Sequence, residues 1–261
     1  MTGWHEVRAE WTKLRTLPGT FWLLAGVAVL TSAVSAAATA GTHCPAGSCP
    51  VDITKLSLTG VIFGQAVVAV LAVLVISGEY STGMIRVTFT AMPRRPVVLA
   101  AKAGLAAALS LAAGVLAVAG SLLAGRLILP GNGFTVARGF AGLSLAHGPT
   151  LRAAAGSVLY LALIALLSVG IATLVRDSAV AIGSVLGLLY LFPIVVTFLA
   201  ADPHWQHRVQ RYAPMPAGLT IQDTTGLHGL PISPWGGLGV LGLWAAGALV
   251  AGGLALWKRD A

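Results

Sequence analysis

Acidic side chains are scarce in this 261-residue chain: eight Asp and Glu stand against sixteen Lys and Arg. Charged residues of both signs make up only 9% of it, where a soluble domain carries about 25%. So few charges cannot clothe a water-soluble surface, which excludes that class. The position of the gaps excludes more. Six runs, 20–40, 56–78, 103–125, 153–175, 178–200 and 236–257, contain no Asp, Glu, Lys, Arg or His. Proton- and ion-coupled carriers keep ionisable relays inside the bilayer, and these runs offer none. The H-E-x-x-H of an intramembrane metalloprotease is missing, as is any polar cluster suited to a lipid phosphatase or acyltransferase. The phosphate-binding G-x-x-x-x-G-K-[ST] is missing too, because none of the four lysines, Lys13, Lys55, Lys102 and Lys258, follows a glycine. The chain is therefore expected not to be an enzyme, with no catalytic and no metal-binding residue.

What is there is hydrocarbon. Hydrophobic residues make up 57% of the chain and the mean hydropathy is +0.87. Each charge-free run is long enough, at 1.5 Å per residue, to cross about 30 Å of bilayer as a helix. The runs are too long, and too little alternating, for strands of an outer-membrane barrel. The expected fold is all-α: an integral membrane protein with six transmembrane helices plus an N-terminal interfacial amphipathic helix. The small residues of "SAAATAG" suit signal-peptide cleavage, but the first run exceeds the usual 7–15 residues and five more follow, so it reads as a span.

Residues 1–19 form the first unit and 20–261 the six-span domain. In "GWHEVRAEWTKLRTLPG", Trp4, Val7, Trp11 and Leu14 recur on one helical face, leaving Arg8, Lys13 and Arg15 for the other. Pro18-Gly19 ends the pattern before the membrane. Such a helix lies in the interface, as an anchor or as a lever between a partner and the first span. Flanking charge sets orientation. With the N-terminus cytoplasmic, that side holds Arg8, Lys13, Arg15, Arg86, Arg94, Arg95, Lys102, Arg176, Lys258 and Arg259; the other holds Lys55, Arg126, Arg138, Arg152, Arg208 and Arg211. The bias predicts a multi-pass membrane protein with both termini cytoplasmic. The net charge of +8 is spread over span ends, which points to membrane lipids and not to nucleic acid.

The only cysteines, Cys44 and Cys49, lie in the first outer connection, "GTHCPAGSCPVD". They suit a small disulfide on an oxidising face, or free thiols, or a metal site with His43 that lacks an evident fourth ligand. In "ADPHWQHRVQRYAP", Asp202 suits an N-cap and Pro203 the first helical position, with Trp205, Val209 and Tyr212 on one face. That predicts a short outer helix resting on the membrane. His204 and His207 share a face without a carboxylate companion. Arg176-Asp177 predicts a tight hairpin between the fourth and fifth spans. Pro193 predicts a kink in the fifth, Gln65 a contact with another helix, and Gly183 with Gly187 a close helix crossing.

Polar residues gather in one place. The connection 79–102 lies in "GEYSTGMIRVTFTAMPRRPVVLAAK" and holds Glu79, Arg86, Arg94, Arg95 and Lys102 between long charge-free runs. Ile85, Val87, Phe89 and Ala91 alternate with polar residues as in a strand, yet a lone strand would have no pairing partner, so a helix is expected. The residues Glu79, Tyr80, Gly83, Met84, Ile85, Arg86, Pro93, Arg94, Arg95 and Lys102 resemble the segment after the second span in permease subunits of type-2 ABC transporters. The "EWTKLRT" stretch, "ATLVRDSAVAIG" and "YAPMPAG" extend the resemblance over nearly the whole chain.

That resemblance implies a bacterial plasma (inner) membrane and a job for each part. The connection 79–102 would be the ATPase-coupling loop, and the N-terminal helix the connecting helix. A separate ATP-binding subunit would bind ATP and Mg, with no cofactor held by this chain. A second permease subunit, in a homo- or heterodimer, would complete the path for a hydrophobic or amphipathic substrate. A non-transporting membrane scaffold or immunity-type protein is the alternative. The positive-inside bias accounts equally for Arg86, Arg94 and Arg95 as plain anchors.

Overall fold

The computed structural model describes residues 18–44, 49–81, 95–135, 140, 142–199 and 203–258. The chain folds as helices throughout, with no strand among the described residues. Ten helices follow in order: α1 (Pro18–Gly41), α2 (Ile53–Ser57), α3 (Val61–Ser81), α4 (Arg95–Ile128), α5 (Gly148–Val175), α6 (Ser178–Leu186), α7 (Phe192–Leu199), α8 (Pro203–Tyr212), α9 (Pro214–Leu219) and α10 (Pro234–Lys258). A π-turn, Gly187–Leu191, joins α6 to α7 as one broken helix. Six helices are long and apolar enough to cross a membrane: α1, α3, α4, α5, the α6–α7 unit and α10. The protein is thus a helical, multi-pass membrane protein. The expected N-terminal helix bearing Trp4, Val7, Trp11 and Leu14 falls outside the described residues.

Several boundaries differ from the sequence reading. The second span begins at Val61, not at 56. Asp52 caps a separate short helix, accepting hydrogen bonds from the Thr54 and Lys55 amides, and Leu58 closes it. The connection 79–102 is shorter than charge alone suggests, because α3 continues to Ser81 and α4 starts at Arg95. A charge at either end does not stop a helix whose backbone bonds are already formed.

α5 is the hub. It packs on α3, α4, α6 and α10, and α1 closes the far side against α3 and α4. Its side chains Tyr160, Leu161, Ile164, Leu167 and Val169 are wholly buried. Small residues set the close crossings. A Cβ on Gly60 would stand 1.9 Å from the Thr31 carbonyl oxygen, and one on Gly170 would stand 2.5 Å from the Ala248 backbone. The expected close crossing at Gly183 and Gly187 does not occur among the described residues: a Cβ on either meets nothing within 4 Å. Tight glycines also face the short connecting elements, with Gly125 against Ser57 and Gly237 against Ala217.

Six crossings bring Pro18 and Lys258 to one face, here the terminal face. The Cys44–Cys49 loop lies on the opposite, disulfide face. Pairings confirm the directions, with Gly26 near Val67 and Gly60 near Ser35 in an antiparallel register.

Candidate functional site

The residues of the 79–102 connection divide in two. Glu79 and Tyr80 fall in the last helical turn of α3, and Arg95 opens α4. Gly83, Met84, Ile85, Arg86, Pro93 and Arg94 lie outside the described residues, as does the choice between helix and strand there. Lys102 sits about two turns into α4 and is only 2% exposed. A lysine so covered is held inside the bundle, so it is no loose surface anchor. On the same face, Asp177 accepts from the Val180 amide and caps α6, and Arg176 takes a left-handed conformation (φ 63°) to close α5. This is the tight hairpin that the sequence suggests.

Among the polar groups inside the bundle, Gln65, Tyr160 and Tyr190, from three helices, take part in hydrogen bonds between spans. The Tyr160 hydroxyl donates to the Gln65 Oε1, and the Tyr190 hydroxyl donates to the Ile62 carbonyl oxygen. Tyr190 stands in the π-turn. Pro193 supplies the physical reason for that turn: it has no N–H to give to the ladder, and the Phe192 N–H reaches back to Gly187. The expected kink therefore takes the form of a π-turn just before the proline. Beside it, a recess of about 500 Å³ opens between α5, the π-turn and α10. Leu167, Ile171, Leu188, Leu243 and Ala248 line it. Its walls can hold hydrocarbon and offer nothing to break a bond.

The 201–235 connection corrects an expectation. Its helix runs along the outside of the bundle with most of its described side chains exposed, and the chain turns into the bundle at Ala213. The Trp244 indole N–H donates to the Tyr212 carbonyl oxygen at 2.9 Å, and Trp244 lies about 15 Å along α10 from Pro234 at 1.5 Å per residue. From that depth α9 climbs back along α5 and α10. A Cβ on Gly218 would meet the Tyr160 ring at 2.6 Å, and one on Gly156 would meet Ile221 at 2.0 Å. α8 and α9 thus form a re-entrant hairpin, with Ala213, Pro214, Ala217 and Gly218 buried at its base. Backbone that leaves the helix at this depth must be satisfied by protein. Thr220 Oγ1 donates to the Ala217 oxygen, and Gln222 Nε2 to Ser157 Oγ.

The hairpin ends in a polar knot on the disulfide face. Lys55 Nζ pairs with Asp223 Oδ1 at 2.6 Å, and Arg152 donates to the Asp223 carbonyl oxygen. Asp52 accepts from the amides and hydroxyls of Thr224 and Thr225. Burial alone would raise the Asp52 pKa, but the Lys55, Thr224 and Thr225 donors outweigh it and hold the carboxyl below its ordinary value. Cys44 and Cys49 are joined in a disulfide with Cα atoms 6.1 Å apart, which leaves no thiolate for a metal. The Cys44 amide donates to the Asn132 carbonyl oxygen, tying that loop to the end of α4. The sequence reading missed this knot; a run of Asp, Thr and Thr near a predicted outer loop was its only trace.

No protein-family model matches the chain, and a search of curated proteins returns no match.

Proposed function

We propose that this chain is the membrane-spanning permease subunit of an ATP-driven exporter, carrying a hydrophobic or amphipathic substrate. One observation carries the reading: the connection 79–102, which joins α3 to α4 on the terminal face and has the E-Y-x-x-G-M-I-R pattern of type-2 ABC permeases. In this reading the terminal face is cytoplasmic. Glu79, Tyr80, Gly83, Met84, Ile85, Arg86, Pro93, Arg94 and Arg95 meet a cleft in a separate ATP-binding subunit, which holds ATP and Mg. The chain itself is not an enzyme. Movement of the ATPase is passed to α3 and α4, whose inner ends flank the loop, and α4 carries Lys102 buried among its neighbours. A second permease subunit completes the path.

The spans support transport driven from outside the bilayer, since none of the six charge-free runs holds an ionisable relay. The apolar recess between α5 and α10 supports a greasy cargo. The test is co-purification of this chain with the ATPase encoded beside it, for wild type and for Glu79→Ala and Arg86→Ala. Loss of the ATPase from membrane-inserted variants is the expected result. A wild type that never retains an ATPase sinks the proposal and favours a non-transporting scaffold.

A further inference from the structure

We infer that the exposed face of α8 is a binding site for the acidic headgroup of a membrane amphipath, with Arg208 and Arg211 as the groups that hold it. The sequence of α8, PHWQHRVQRY, is polar apart from the face of Trp205, Val209 and Tyr212. Trp205, His207, Arg208, Gln210, Arg211 and Tyr212 are exposed on it. A helix of that composition suits water, yet α8 leads down to Tyr212, whose carbonyl oxygen is fixed by Trp244 about 15 Å along α10 from Pro234. Arg211 therefore stands beside the hydrocarbon of the leaflet on the disulfide face. An arginine left uncompensated against hydrocarbon is costly. The two arginines need an anion.

Among the described residues of the hairpin, no acid supplies it. Residues 203–222 contain no Asp or Glu, and Asp223, which follows them, is paired with Lys55. Arg208 and Arg211 are three residues apart and so share a face of α8. Each guanidinium stacks on its own aromatic: Arg208 lies 5.3 Å from the Trp205 ring centroid, and Arg211 lies 5.5 Å from that of Tyr212. Stacking offsets part of the desolvation and fixes the planes. The N–H edges then point to a bidentate acceptor, and phosphate is the one that a bilayer supplies in quantity. Phe192 and Ile194 are exposed on α7, the helix that packs beside α8, and offer an apolar surface to the tail of the same molecule. The source is therefore an amphipath and not free phosphate. The site does not depend on an ATPase, so it stands or falls separately from the transport reading.

The test uses the purified full chain in an uncharged maltoside detergent, titrated with phosphatidylglycerol and read by native mass spectrometry. Expected are retention of phosphatidylglycerol over phosphatidylcholine and a loss of about tenfold or more in apparent affinity for Arg208→Gln/Arg211→Gln. Arg126→Gln, an exposed arginine at the end of α4 on the same face, keeps wild-type binding. Equal binding by the double variant overturns the inference. So does inorganic phosphate competing as well as phosphatidylglycerol, because the tail then contributes nothing. If the double variant fails to fold, wild type alone decides: no preference for phosphatidylglycerol, or a preference that survives 1 M salt against a Debye length of about 3 Å, rejects the site.

Discussion

Asp52 and Thr224 lie 172 residues apart and meet through two hydrogen bonds, from the Thr224 amide and from its hydroxyl at 2.8 Å. One carboxylate thus caps α2 and anchors the end of the re-entrant hairpin. Both structures lose their fixing point if it goes. Asp52→Ala is expected to destabilise the chain by about 1–2 kcal/mol, the usual worth of a lost N-cap with further bonds. Thermal unfolding in detergent measures it; an unchanged midpoint contradicts the dual role.

The same carboxyl makes a pH prediction. Its folded pKa is lowered from 3.8, so its contribution is present above that value and is lost as pH falls through the folded one. The unfolding midpoint of wild type should therefore drop below about pH 4. The Asp52→Ala chain, already without the group, should lose less over that window. Parallel curves for the two proteins would show that other carboxylates carry the acid sensitivity.

The Cys44–Cys49 bridge closes a short loop against the end of α4. Reduction is expected to cost about 2 kcal/mol by loop-closure entropy for so short a ring. The paired change Cys44→Ser/Cys49→Ser should behave as the reduced protein does. Thiol labelling before and after reductant checks the bond directly, and full labelling without reductant would refute it.

Glycines of the two crossings separate cleanly. Gly170→Ala puts a methyl 2.5 Å from the Ala248 backbone and 2.6 Å from the Leu249 nitrogen, so α5 and α10 must part. A cost of about 1–3 kcal/mol is expected. Gly183→Ala meets nothing within 4 Å and should be neutral, or slightly stabilising through helix propensity. Opposite signs from one substitution type test the packing and not glycine chemistry; similar losses at both sites would place α6 against an unrecognised neighbour.

How much could be read in advance follows from what each feature depends on. The six spans were legible because lack of charge over about 20 residues is a property of the chain itself. The start of the second was not, since Leu56 and Leu58 are as apolar as the span they precede, and only Asp52 and its distant partners set them apart. The re-entrant hairpin was hidden for the opposite reason. Its polar α8 and its proline-bearing α9 look like a surface connection, and what draws them inward are notches at Gly156 and Gly218 that exist only after folding. The 79–102 pattern was visible as sequence, whereas the knot at Asp52, Lys55 and Asp223 joins segments that nothing local connects.

Gln65 and Tyr160 give the last prediction, because buried polar pairs between spans are where a double change can be milder than a single one. Both side chains are fully buried, and the Tyr160 hydroxyl donates to the Gln65 carbonyl oxygen. Tyr160→Phe removes the donor and leaves a buried amide oxygen without it. Gln65→Leu removes the acceptor and leaves the hydroxyl in the same position. Each single change should cost about 1–2 kcal/mol, as for an interhelical bond with one partner stranded. Replacing both strands nothing, so Gln65→Leu/Tyr160→Phe should cost less than the two singles together, with a coupling on the order of 1 kcal/mol. Strictly additive losses would mean that the bond contributes little and that shape alone joins α3 to α5.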